Sequence, residues 1–240
     1  MSSARIGALS IIVFAVAGVI WFALEIAPPA LGFEDTDSPA VMLRFLREHS
    51  ELSVYAGYTL LVMAITMTVA TFAVTDALAP RASLLAIRTT SAFGILCAAF
   101  FFMLGVIRSS VLPLLYIDGL NHAWGEAGYV TVQLMTIHGF AQAGSLALCL
   151  WAVGISLIGL RTRALPRWLC VLGVIPALRI VGLLFGPLNV LPDVLWIVFM
   201  LAIPGVMLWC LLLGLVLLRR AFTGSANAQV VRLPVPGTAA

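Results

Sequence analysis

The chain has 240 residues, of which 62% are hydrophobic and 10% charged, against about 25% charged in an ordinary soluble domain. A soluble core cannot absorb that excess, and the apolar residues form long runs of the kind that a hydrocarbon layer about 30 Å thick demands of a helix rising about 1.5 Å per residue. All 13 basic residues are arginine and the formal net charge is +3, but the arginines sit at loop ends and make no aromatic-interleaved basic face, which excludes a nucleic-acid partner.

The predicted fold is all-α: a polytopic membrane bundle of six transmembrane helices over residues 1–220, followed by a disordered tail over residues 221–240. The first span, Ile6 to Ala27, is longer than the apolar region of a cleaved signal, and Glu25 with Pro28 and Pro29 opposes cleavage, so it is expected to be retained. In the outer loop from Pro28 to Ser50, Ser38 can cap a helix and Pro39 fits its first turn. Val41, Met42, Phe45 and Leu46 share one face and the pairs Arg44–Glu48 and Arg47–Glu51 another, which predicts an amphipathic helix along the outer interface. The second span, Val54 to Leu78, carries Tyr55, Thr59 and Thr66 on one face and Thr68, Thr71 and Thr75 on another, and hydroxyls bonded back into their own helix are expected to explain most of these. Asp76, close to Arg81 and Arg88, reads as a topology anchor.

The third span is predicted from Leu85 to Ile107, leaving Arg108 as an outer charge. Asp118-Gly119 then reads as a turn, and Asn121, His122, Trp124 and Glu126 as a polar outer loop. The fourth span, Val130 to Leu160, places Thr131, His138, Gln142, Ser145 and Cys149 on one helical stripe. The fifth, Trp168 to Phe185, contains Pro176, and the sixth, Val194 to Leu218, contains Pro204-Gly205, breaks that can line a cavity. With these spans nine arginines (5, 81, 88, 161, 163, 167, 219, 220 and 232) lie on one side. Only Arg44, Arg47 and Arg108 lie on the other. The positive-inside rule then puts both termini in the cytoplasm. Arginine without lysine, together with the Ala and Leu richness, points to a bacterial cytoplasmic membrane.

Three short motifs fall at matching places in this layout: Ala4-Arg5-Ile6-Gly7-Ala8-Leu9 opening the first span, Ile137-His138-Gly139-Phe140 in the fourth, and Leu165-Pro166-Arg167-Trp168-Leu169 opening the fifth. In these the chain resembles an uncharacterised bacterial family of six-span proteins, catalogued as domain of unknown function 4386, over roughly Arg5 to Arg220. The resemblance implies the architecture and brings no catalytic residue.

An ionisable residue inside a bilayer costs at least about 2.5 to 3.5 kcal/mol at a helix centre, so each needs a reason. Arg179 lies eleven residues beyond Trp168, about 16 Å deep, and Glu25, about 28 Å from Ile6, is its first candidate partner, with Asp118 or Asp193 second. A structural ion pair and a ligand site are both open for them. His138 and Gln142 are further candidates to line an outward-facing polar cavity, against the alternative that they serve helix packing. His49, His122 and His138 lack the spacing of metal ligands, and Cys97, Cys149, Cys170 and Cys210 fall inside apolar runs, so neither a metal nor a cofactor is expected. No phosphate loop, nucleophile elbow or His-Glu-x-x-His motif occurs.

Three functions fit these residues. The first is a non-enzymatic protein binding, transporting or sensing a small molecule or lipid. The second is an intramembrane enzyme acting on a lipid or isoprenoid, with Glu25 or Asp118 as acid and His138 as base. The third is an assembly partner whose polar stripes are buried by another membrane protein or by a second copy of the chain.

Overall fold

A computed structural model describes residues 3–25, 31, 38–118, 124–178, 180 and 193–230. Helix α1 (Ser3–Glu25) is followed by α2 (Pro39–Glu48), α3 (Ser50–Leu78) and α4 (Leu84–Val106). A wide π-helical turn, Ile107–Val111, carries α4 on into α5 (Leu112–Asp118). A second π segment, Leu134–Ala141, joins α6 (Trp124–Gln133) to α7 (Gln142–Thr162), and α8 (Arg167–Leu172) and α9 (Asp193–Val230) complete the order. No strand occurs among the described residues.

Five of the described helical runs are long and apolar enough to cross a membrane: Ala4–Glu25, Ser50–Arg81, Leu84–Ile117, Trp124–Thr162 and Ile203–Thr223. Their outer faces expose large apolar side chains, Ile65 at 63% and Leu85 at 76% among them, and exposure on that scale belongs in lipid rather than water.

The helices pack in sequence, α1 against α3, α3 against α4, α4 against α7, with α9 on the free side of α1. Trp209 of α9 closes the arrangement. Its ring meets that of Trp151 edge-on at 5.9 Å, and its Nε1 donates to the Leu169 carbonyl at 2.9 Å, so one side chain ties α9 to α7 and to α8. Without a hydrophobic drive between helices in lipid, close approach at small residues supplies the packing. A Cβ on Gly57 would stand 2.7 Å from the Ser109 nitrogen and 2.9 Å from the Gly105 carbonyl, so α3 and α4 cross backbone to backbone there.

At the arginine-rich end one recess is lined by Ala4 and Gly7 of α1, Arg81 after α3, Ala164 after α7, and Leu217 and Arg220 of α9. The start of α1, the turns that follow α3 and α7, and the far part of α9 therefore lie together.

Local signals explain most boundaries. The Ser38 hydroxyl accepts from the Val41 N–H at 3.4 Å and caps α2, with Pro39 in the first turn as expected. Leu43, not Val41, anchors it: Leu43 is fully buried on Leu112, Leu115, Tyr116 and Tyr129, while Val41 is exposed. Ser83 caps α4. Arg163 ends α7 with φ 52°, the left-handed stop that terminates many helices.

The structure departs from the sequence reading at four places. The third span does not stop at Ile107, because Ser109 returns its hydroxyl to the Gly105 carbonyl at 2.8 Å and Arg108 is neutralised inside the bundle, so the polar triplet no longer ends the helix. Trp124 and Glu126 belong to α6 and not to a loop. The fifth span begins as α8, but Val174, Ile175, Ala177 and Leu178 each bond only three residues back, a tightening around Pro176, which has no N–H to give; beyond Leu178, all of that span but Ile180 lies outside the described residues. The last helix continues to Val230, through the first part of the segment expected to be disordered.

Candidate functional site: an ion-pair latch above an apolar groove

Helix α1 brings Trp21 and Glu25, one turn apart, to the end of the bundle away from the arginine-rich recess. The indole Nε1 donates to Glu25 Oε1 at 3.0 Å. From α4 the π turn presents Arg108, whose guanidinium forks onto the same carboxylate: Nη1 lies 2.8 Å from Oε1 and Nη2 donates to Oε2 at 3.1 Å. Both side chains are largely buried, Arg108 at 12% exposure and Glu25 at 26%. A two-bond fork of this kind is the strong form of a charge-assisted hydrogen bond.

The wide turn has a chemical cause. Leu112 donates five residues back, to Ile107; in that register the next donor would be Pro113, which has none to give to Arg108. The Arg108 carbonyl is satisfied instead by the buried Ser53 hydroxyl of α3, at 3.0 Å. Arg108 thus links α4 to α1 through its side chain and to α3 through its backbone. The phenol of Tyr129, buried on α6, lies within electrostatic reach of both Arg108 and Glu25. Two donors thus meet Oε1 and one meets Oε2, and the Arg108 guanidinium stands directly opposite the Glu25 carboxylate. The arrangement suits a latch.

Between α1 and α3, on the same half of the bundle, runs a groove of about 600 Å³ lined by Ile12, Val16, Ile20 and Leu24 on one wall and Tyr55 and Val62 on the other. Near the opposite end the two helices touch at Gly7 and Ala73, and the groove opens where larger side chains line both helices. Thr59 also faces it, but its hydroxyl donates to the Ala56 carbonyl at 2.8 Å, so the lining stays apolar. Tyr55 and Tyr58 stand exposed along it.

Of the residues expected to form a polar outer cavity, Glu25 joins this cluster, with Arg108 as its partner. Arg179 lies outside the described residues. His138 falls in the second π segment and Asp118 ends α5, their side chains lying outside the described set; Gln142 opens α7, half-buried. The stripe from Thr131 to Cys149 presumed an unbroken α-helix, and the π segment between them changes the residues per turn. Ser145 and Cys149, on the regular part of α7, do share a face: they line a void of about 20 Å³ with Trp21, Phe101 and Met207.

By sequence Arg108 was read only as an outer-loop charge, and Trp21 and Ser53 were not singled out. The available signals were Trp21 four residues before Glu25 and Pro113 five after Arg108, spacings that acquire meaning once α4 is known to continue. Comparison with family models, with curated proteins and with solved structures returns no match.

Proposed function

We propose that the chain is a non-enzymatic membrane protein that binds a lipid or lipid-like small molecule, one apolar chain of which lies in the groove between α1 and α3. The groove carries this reading. Its volume of about 600 Å³ falls within the roughly 300–1,000 Å³ of small-molecule sites, and its lining matches an acyl or prenyl chain better than a polar metabolite. The exposed phenols of Tyr55 and Tyr58 sit where an ester or headgroup would meet the interface. An acid or base role for Glu25 is disfavoured by its own bonds, since both oxygens are engaged by Arg108 and Trp21.

Val16 lines the groove and is 49% exposed, so Val16→Trp fills it without entering the core. After exchange into detergent, native mass spectrometry is expected to find co-purifying lipid on the wild type and about tenfold less on the variant, at an unchanged melting temperature. Equal retention on both would remove the groove as the binding site.

Six crossings with both ends on the arginine-rich side are supported by parity. Helix α1 starts at the recess, α3 returns to it, α4 with α5 leaves it, and α6 with α7 returns to Ala164. Helix α9 runs antiparallel to α1, because Gly18 meets Met207 while Gly214 meets Ile12 and Ala8, and so it also ends at the recess. On this reading the sixth crossing falls between Arg167 and Asp193. The arginine distribution makes that side cytoplasmic, in the cytoplasmic membrane of a bacterium as the composition indicates.

A further inference from the structure

The recess at the arginine-rich end has a shape and charge that neither the latch nor the groove uses. It encloses about 400 Å³. Its walls are mostly apolar, with Gly7 and Ala8 on α1, Ala73 and Ala77 on α3, and Leu217 on α9. Two arginines, Arg81 and Arg220, are among the residues that line it, and no described acid is. Arg220 donates through Nη1 to the Ala164 carbonyl, which holds its guanidinium in place while its other N–H groups bond to nothing among the described residues. Next to Ala4, Arg5 lies over the Phe222 ring, 4.4 Å from its centre.

We propose that this recess binds the phosphate of an anionic phospholipid from the arginine-rich leaflet, with Arg81 and Arg220 as its ligands. Planar guanidinium groups match phosphate oxygens in pairs, and basic pockets between membrane helices on the cytoplasmic side are suited to anionic headgroups. The occupant is a lipid and not a free anion because the walls are mostly apolar and the space of about 400 Å³ exceeds a phosphate: glycerol and the first methylenes fill what a bare phosphate would leave empty. The site lies at the opposite end of the bundle from the Glu25–Arg108 latch, and it stands whether or not the groove holds a chain.

The test titrates the purified full-length protein in detergent with phosphatidylglycerol, phosphatidylcholine or inorganic phosphate, with lipid retention read by native mass spectrometry and stabilisation by thermal melting. Wild type is expected to retain phosphatidylglycerol about tenfold over phosphatidylcholine and to gain no stability from inorganic phosphate. The double variant Arg81→Gln/Arg220→Gln is expected to lose that preference, while Arg44→Gln/Arg47→Gln on α2 keeps it. Equal retention of the two lipids by wild type overturns the proposal without reference to any variant. So does stabilisation by inorganic phosphate equal to that by lipid, or a preference that survives in the double variant.

Discussion

Replacing Arg108 with leucine is expected to destabilise the protein by about 3 kcal/mol, the largest effect of any single substitution at the latch. Removing one partner of a buried ion pair leaves the other charge without compensation, at about 3 to 5 kcal/mol. The lower end applies because Glu25 keeps 26% of its side chain exposed and retains the Trp21 bond. Thermal or denaturant unfolding in a fixed detergent reads the difference. The double variant Glu25→Leu/Arg108→Leu is expected to recover most of the loss, since apolar side chains can replace a buried pair at little net change. An Arg108→Leu protein that unfolds with the wild type would show that the fork contributes nothing.

Gly57→Val is expected to cost about 2 kcal/mol, within the range of about 1 to 3 for overpacking. The added Cβ would meet the Ser109 nitrogen at 2.7 Å and the Ser109 Cβ at 2.8 Å, which are parts of the π turn itself and cannot rotate away as the end of a flexible side chain can. Moving α3 off α4 also draws the Ser53 hydroxyl away from the Arg108 carbonyl, so the damage reaches the latch. Gly205→Val is the control, because a Cβ there meets nothing within 4 Å. The same unfolding measurement on both variants separates local crowding from a general effect of valine in a helix; equal losses would show that the α3–α4 crossing is not tight.

Much of the fold was legible because hydrocarbon imposes a single requirement, a long apolar run, and α1, α3 and α4 meet it. The cap of α2 was legible for a local reason, as Ser38 and Pro39 act within one turn. So were most threonines of α3: Thr59, Thr66, Thr68 and Thr75 each return their hydroxyl to their own helix, whereas the buried Thr71 hydroxyl has no partner among the described residues. Arg108 was not legible. Arg-Ser-Ser after an apolar run reads as a loop when each residue is weighed alone, and the charge becomes tolerable only because Glu25, 83 positions away in sequence, arrives from another helix. Hydropathy has no access to that partner. The stripe through His138 failed for a different reason: the α-helical period was applied across a segment, Leu134–Ala141, that departs from it. The groove between α1 and α3 was equally hidden, because residues that line a groove and residues that face plain lipid have the same composition.

The groove and the arginine-lined recess both draw their meaning from the way the chain sits in the bilayer, and one labelling experiment tests that placement most directly. Single cysteines at Arg163, after α7, and at Thr223, in α9, are both exposed positions, while the four native cysteines are buried and should stay silent. With six crossings, a membrane-impermeant maleimide added to right-side-out vesicles is expected to label neither Arg163→Cys nor Thr223→Cys, and to label both once the membrane is opened. Labelling of the two from opposite sides would mean that no crossing lies between α8 and α9, and would contradict the six-span bundle.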